Sequence, residues 1–553
     1  MMISISFPSG RRLRRGAACM LAVVLANGAA LDARAAALAT VPTAPRVQVA
    51  AGAIEGKLAR VDGVTLREFQ GIPYAAPPVG ALRWKPPQPV AHWDGTRQAR
   101  QFGPRCMQLP LFSDMVFRAS GMSEDCLYLN VWAPASFTAA RKPAKLPVLV
   151  YFYGGGFVAG DGSELRYDGA SLAARGIVTV TVNYRLGVFG FFALPALAEE
   201  SPQHAAGNYG LLDQVAALGW VQANIAAFGG DPAKVTIAGE SAGSISVSAL
   251  MTSPLSKHLF VRAIGESGAL IAPIAPLTLA QAQQRGTAFA GKVGARSLAD
   301  LRAMPAAQLL QATSDQQGDA DPDIDGWFLT EPPATTFARG AQAHVPLLLG
   351  SNSQEGFYTA ILKQQSPTPA HYRAALQRLF GAQAGRALAL YPGGSAAEVM
   401  RSATALAGDL FIAHTTWRWM DLQRRTGKAP VYFYYFAQPR PAKRHPAPGE
   451  RPDVGAVHSG EIEYALGNLD TNRVYAWTPA DHRVSKTMEG YFAQFIRTGN
   501  PNGAGLPHWP AVRASGGGLL RQVIGVHTHT EVDRGAARQA FLQQFFATHA
   551  SVF

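Results

Sequence analysis

Cysteine is scarce: the 553 residues contain 3. No C-x-x-C pair occurs, which removes zinc-ribbon and thioredoxin-like readings. Of the 13 histidines, only His527-Thr528-His529 places two close together, on a short C-terminal strand where surface histidines are the ordinary outcome. No metal and no cofactor is expected. A membrane-length apolar run is also missing. Ala17 to Leu31 is too short and too alanine-rich for a span, which needs about 20 apolar residues, so no stable membrane anchor is expected. Beyond the first 35 residues dense basic runs are absent, although the whole chain has a net charge of +13. Arg440, Lys443 and Arg444 lie in a proline-rich stretch that reads as a solvated loop. Nucleic-acid binding would want such charges clustered on one face with aromatics between them, so it is excluded. There is no internal repeat and no low-complexity linker.

What is present begins with an export leader over residues 1–35. Arg11, Arg12, Arg14 and Arg15 form a basic region, Ala17 to Leu31 an apolar one, and Ala33-Arg34-Ala35 a small-x-small cleavage site. Cys19 precedes the apolar core, which argues against a lipid anchor. Cleavage near Ala35 brings the net charge from +13 to about +9. Two cysteines remain, Cys106 and Cys126. In an oxidising compartment the economical reading is one disulfide, which closes a loop of about 20 residues worth roughly 3 kcal/mol in the chain-entropy model.

Short buried-strand runs recur between helical patterns: Leu146 to Tyr153, Ile177 to Asn183, Lys234 to Ala238, Val345 to Leu349 and Val431 to Phe436. Leu211 to Phe228 is apolar at helical spacing and ends at Gly229-Gly230-Asp231-Pro232. Near-continuous apolar strands alternating with helices predict an α/β fold, a mostly parallel sheet covered on both faces. One domain over residues 46–553 fits best.

The strand ending at Ala238 runs into Gly239-Glu240-Ser241-Ala242-Gly243, a G-x-S-x-G elbow that holds a serine hydroxyl at the head of the following helix. A hydroxyl is a weak nucleophile and needs a base and donors for an oxyanion. Tyr151 to Phe157 ends a strand in Gly154-Gly155-Gly156, bare backbone able to aim N–H groups at a substrate oxygen. The same segment satisfies G-x-G-x-x-A, a dinucleotide fingerprint. The next strand, Ile177 to Asn183, ends without the acidic residue that would hold a ribose, which favours the oxyanion reading.

Further motifs carry a resemblance. Phe69-Gln70-Gly71-Ile72-Pro73-Tyr74-Ala75, Leu82-Arg83-Trp84, Glu124-Asp125-Cys126-Leu127-Tyr128-Leu129-Asn130-Val131 and Asn208-Tyr209-Gly210-Leu211-Leu212-Asp213-Gln214 occur in order before the elbow. The chain resembles the type-B carboxylesterases, the carboxylesterase/lipase family that includes the cholinesterases. The resemblance implies an α/β-hydrolase fold. It also implies a triad of Ser241, Glu355 in Gly350-Ser351-Asn352-Ser353-Gln354-Glu355-Gly356, and His458 in Ala456-Val457-His458-Ser459-Gly460-Glu461-Ile462. Gly155, Gly156 and Ala242 fall at the oxyanion-hole positions. Glu240 and Ser267 fall beside the triad, and Arg83 with Glu124 at an ion pair near the disulfide.

The expected activity is therefore that of an exported serine esterase acting through an acyl-enzyme, with an ester as its partner. Short-to-medium acyl or aromatic esters are expected, hydrophobic polyester or lipid esters being the alternative. A non-catalytic adhesion module on the same fold is the contrary class, disfavoured because every triad position carries a competent residue. The cholinesterases hold a quaternary ammonium on a tryptophan in the loop that corresponds to Cys106–Cys126, and this loop has none. Leu111, Phe112, Met115, Val116 and Phe117 instead suggest a short helical turn serving as an apolar rim or as core.

Overall fold

The computed structural model describes residues 44–135, 145–314, 320–446, 453–516 and 518–549. The leader and its Cys19 lie outside the described residues, and residues from Pro45 on group as one unit. Its framework is an eleven-stranded sheet. In chain order the strands are β1 (Lys57–Val61), β2 (Val64–Pro73), β3 (Tyr128–Pro134), β4 (Leu146–Phe152), β5 (Val178–Val182), β6 (Gly230–Glu240), β7 (Arg262–Glu266), β8 (Leu347–Asn352), β9 (Val431–Phe436), β10 (Leu520–Ile524) and β11 (His529–Val532). Across the sheet they lie in the order β11, β10, β9, β8, β7, β6, β4, β5, β3, β2, β1.

The strands from β10 to β5 are parallel. The rims are antiparallel: β1, β2 and β3 at one side and β11 at the other. The central strands are buried on both faces, as parallel strands between helical layers must be, and Val148, Val150, Val180, Ile237 and Leu348 have no exposed surface. Helix α1 (Tyr209–Asn224) precedes β6, α2 (Ala242–Thr252) follows it, and α3 (His414–Thr426) precedes β9. Every residue of α2 is buried, so this helix contributes core on all sides rather than an amphipathic stripe.

Several expected boundaries move. The helix read over Leu211 to Phe228 is α1 followed by a 3₁₀ turn over Ile225–Phe228. The strand read as ending at Leu349 runs on to Asn352, because its pairing with β9 continues to Asn352 opposite Phe436. The turn expected over residues 111–117 is not helical. Its loop is fixed at both ends instead, by the Cys106–Cys126 disulfide, whose Cα atoms are 5.0 Å apart, and by pairing of Arg105–Cys106 with Met122–Ser123. The proline-rich stretch holding Arg440 is not simply solvated. Arg440 is buried, and its guanidinium donates to the Glu463 carboxylate at 2.8 Å. The Arg83–Glu124 pair forms as a two-pronged bridge, 2.6 Å at each prong. Among the described residues no helix is long and apolar enough to cross a membrane.

Two glycines separate the effects of crowding and of chain entropy. A Cβ on Gly243 would stand 2.0 Å from the Phe152 carbonyl oxygen, whereas one on Gly219, exposed in α1, would meet nothing within 4 Å. Gly243→Ala is expected to lower the thermal midpoint steeply or to prevent folding. Gly219→Ala is expected to raise stability by about 0.5–1 kcal/mol, since glycine mid-helix costs that much against alanine. Equal behaviour of the two variants in thermal melts would contradict this packing.

Candidate active site

The parallel strands end on one side of the sheet, and the candidate residues follow those ends. Ser241 follows β6, Gly154 to Gly156 follow β4, Ser267 follows β7 and Glu355 follows β8. Between β5 and β6 the chain crosses from one flank of β4 to the other, the switch point at which open α/β sheets bind ligands. Ser241 itself has φ 54° and ψ −120°, a conformation costly for a residue with a Cβ. It is held there from both sides. Its N–H donates to the Glu266 carbonyl at 2.9 Å and its carbonyl accepts from Ile245 N–H at 2.8 Å. A Cβ on Gly239 would lie 2.5 Å from Gly243 C and 2.7 Å from Phe152 O, so the turn closes only over glycine.

His458 reaches the serine from a loop far along the chain. Ser241 Oγ lies 3.0 Å from His458 Nε2, and Glu355 Oε2 lies 2.7 Å from His458 Nδ1. A carboxylate only accepts, so Nδ1 carries a proton, and in the neutral imidazole the Nε2 lone pair faces the serine. The base loop is sewn to the acid loop. Gln354 N donates to Ala456 O at 2.8 Å, Ala456 N to Ser353 Oγ at 2.9 Å, and Asn352 Nδ2 to Val457 O at 2.8 Å. Behind it, Arg440 donates to the Ser459 carbonyl at 2.9 Å and Arg166 to Ser459 Oγ at 3.2 Å. Glu355 accepts further bonds from Ser267 Oγ and Asn352 N, both at 2.6 Å.

The glycine strap lies against the elbow. A Cβ on Gly154 would stand 3.0 Å from Ser241 Cβ, and one on Gly155 would meet Ala159 O at 2.3 Å. Gly155 and Gly156 have φ 107° and 63°. Ala242, the first residue of α2, has no intrahelical acceptor for its N–H. Gly154 thus packs directly on Ser241, with Gly155 and Gly156 next in the chain.

Sequence reasoning named Glu240 and Glu355 but gave no role to Glu266 and Glu461. Glu240, Glu266, Glu355 and Glu461 are all buried in this region. Glu461 Oε2 accepts from Asn352 Nδ2, and Glu461 Oε1 lies 3.5 Å from Ser267 Oγ. Burial pushes Glu240 up to about 8 against the pull of His458, and burial with Glu355 pushes Glu461 up to about 7. Burial, with Glu461 and Glu240 adding to it, holds Glu266 well above the carboxylate range. Burial alone would lower His458, but Glu240, with Oε1 3.3 Å from Nε2, and Glu355 outweigh it and raise the imidazole to about 9. The sequence signal for Glu461 and Asn352 was position: each lies within a few residues of His458 or Glu355 in a quoted motif. Arg166 and Arg440 carried no such signal.

The rim is mixed. Phe411 stacks edge-on to His458, ring centres 5.0 Å apart, and is 44% exposed. From the disulfide loop, Phe112 and Val116 are exposed, whereas Met115 reaches within 3.0 Å of a Cβ built on Gly155. Phe117 lies under the Arg105 guanidinium. Among the described residues no group of histidine, cysteine or acidic side chains could hold a metal ion, and His529 lies exposed at the start of β11.

A parallel sheet with an elbow serine, a histidine and a glutamate at its strand ends defines an α/β-hydrolase. Residues 43–540 match the model of the carboxylesterase family, and the chain belongs to that family. The fumonisin B1 esterase of Sphingopyxis macrogoltabida is 37% identical over 486 residues, which cover 84% of this chain and 84% of that protein. The para-nitrobenzyl esterase of Bacillus subtilis (strain 168) is 36% identical over 474 residues, 82% of this chain and 91% of its own. A solved structure of PNB esterase covers 90% of this chain and 99% of its own at 34% identity, with a TM-score of 0.75. The protein is a carboxylesterase that hydrolyses ester bonds.

An imidazolium cannot take a proton, so a reaction using His458 as base is lost as the pH falls through its pKa. Below about 8 Glu240 takes up its own proton and no longer favours the imidazolium. The rising limb of kcat/KM is therefore expected above the free-histidine value of roughly 6.5 and below about 9. Glu355→Gln should move that limb to lower pH. A flat profile between about pH 5 and 9 would exclude a histidine base.

Proposed function

We propose that Ser241 is the nucleophile, His458 the general base and acid, Glu355 its orienting carboxylate, and Gly155, Gly156 and Ala242 the oxyanion donors of an exported carboxylesterase. The observation that carries this reading is the unbroken relay from Ser241 Oγ through His458 to Glu355, 3.0 and 2.7 Å. Ser241 attacks the ester carbonyl as its proton passes to His458 Nε2. The carbonyl oxygen becomes an oxyanion facing the three N–H groups, each donor being worth about 3 kcal/mol of barrier. The tetrahedral intermediate collapses, His458 returns the proton to the leaving alcohol, and an acyl-Ser241 remains. Water then attacks through the same base, releases the acid and restores the serine. Glu355 keeps the Nδ1 proton in place and stabilises the imidazolium.

Export is supported by the basic and apolar leader pattern and by the closed Cys106–Cys126 bridge. The substrate class we favour is a neutral ester with a short-to-medium acyl or aromatic group. Phe112, Phe357 and Phe411 are all more than two-fifths exposed, and Phe411 lies on His458. No tryptophan occurs between Cys106 and Cys126 to hold an ammonium group by cation–π attraction, and the charge balance is basic. The exposed phenylalanines also support a second reading, adsorption to a hydrophobic polyester or lipid ester.

Ser241→Ala is expected to fold and to lose several orders of magnitude of kcat, His458→Ala nearly as much and Glu355→Gln somewhat less, because the three act as a unit. Folded Ser241→Ala protein keeping more than about one per cent of activity would reject Ser241. Organophosphate labelling followed by mass spectrometry should place the adduct on Ser241. Corrected for leaving-group reactivity, kcat/KM should be higher for p-nitrophenyl butyrate than for butyrylthiocholine, and the reverse order would overturn the neutral-ester reading. A polyester emulsion in the same panel tests adsorption.

A further inference from the structure

A cavity of about 380 Å³ lies beside the glycine strap, and neither Ser241 nor His458 lines it. That volume is at the lower end for a small-molecule site. Its walls include the apolar Val158, Phe191, Phe192, Phe289 and Leu310, and apolar surface outweighs polar. Its polar lining side chains are Arg285, Thr313 and Asp321. Arg285 and Asp321 pair at 2.5 Å with side chains 51% and 40% exposed, which sets the mouth at the surface and the apolar part behind it.

The wall is also the support of the oxyanion strap. Phe157 O accepts from Gly187 N at 2.7 Å, and the Phe157 ring packs on Phe191 with centres 4.8 Å apart. Gly187, Phe191 and Val158 all line the cavity. Val158 N and Ala159 N both donate to Gly155 O at 3.0 Å, so the turn carrying Gly155 and Gly156 hangs from that wall.

The geometry points to a second ligand site in this carboxylesterase, a slot for one aliphatic chain with a small polar head at the Arg285–Asp321 mouth, coupled to the oxyanion donors through the Gly155–Ala159 strap. The coupling, though not the binding, rests on the oxyanion role assigned above. The chain is either that of a separate amphiphile or the long arm of a substrate reaching over the strap.

Decanoate serves as the probe and p-nitrophenyl acetate, too short to reach the cavity, as the reporter. Titration calorimetry on Ser241→Ala protein should show saturable decanoate binding. Ala282→Trp, which fills the cavity from its helical wall, should weaken that binding about tenfold or more while leaving turnover of the acetate ester in place. In the wild-type enzyme decanoate should raise kcat on the acetate ester with KM little changed. That result identifies a separate amphiphile as the source. Competition with the acetate ester, together with a selective loss on p-nitrophenyl decanoate in Ala282→Trp, identifies the substrate's own chain. If Ala282→Trp does not fold, Ala282→Leu gives the same comparison. Absence of binding to Ser241→Ala protein, or wild-type affinity in a folded cavity-filled variant, overturns the site. Failure of the Ser241 assignment would show instead as activity retained by Ser241→Ala, with the binding measurement untouched.

Discussion

The site is organised by the contact of backbone on backbone at the end of β6. Gly243 leaves no room for a side chain beside the Phe152 carbonyl, and Gly239 leaves none beside Gly243. This crowding lets β4 and β6 run side by side to their last residues and forces the chain to reverse at once into α2. The cost is the strained backbone of Ser241. Its return is a hydroxyl held clear of the sheet, with the first N–H of α2 and the strap after β4 beside it. A single added methyl would push β4 and α2 apart and move both Ser241 and the glycine strap. These parts share one constraint and move together.

Around that framework the electrostatics are those of a buried acid cluster. Of the four buried glutamates, Glu355 alone hydrogen-bonds to His458 Nδ1. Glu240, Glu266 and Glu461 are pushed upward by burial, so near neutral pH much of their potential negative charge is neutralised by protons. Four ionised carboxylates so close together would repel one another and hold the imidazole as a cation, unable to act as base. Burial lessens this effect by keeping protons on the neighbours, although Glu240 and Glu355 still raise the imidazole to about 9. Ser267 and Asn352 then bind Glu355 and Glu461 into one hydrogen-bonded patch, so the orientation of the imidazole depends on residues that touch no substrate.

The division between sequence and tertiary structure is uneven. The elbow, the glycine strap and the alternation of buried strands and helices were legible because each is local: a few residues dictate a turn, and side-chain period dictates an element. Ser241 follows from such local rules, whereas Gly155, Gly156 and Ala242 were singled out as oxyanion-hole positions by the resemblance. Glu355 and His458 were legible only through motif resemblance, since a glutamate in a loop and one histidine among 13 carry no local signature. Strand ends were misplaced where pairing extended them, as at Asn352.

What the sequence by itself determined is the set of chemical parts and the fold that carries them, because hydrophobic period and glycine placement act within a few residues. Only the tertiary structure decided how the parts meet. The stitching of Gln354, Ser353 and Asn352 to residues 456–457 spans about a hundred positions and brings His458 to Ser241. Arg440, which the sequence suggests is solvated, is buried behind that loop because Glu463 and the Ser459 carbonyl need a donor there. The acid cluster and the cavity beside the strap likewise arise from residues far apart in the chain. Their charge states and volume are properties of enclosure, which no one-dimensional pattern records.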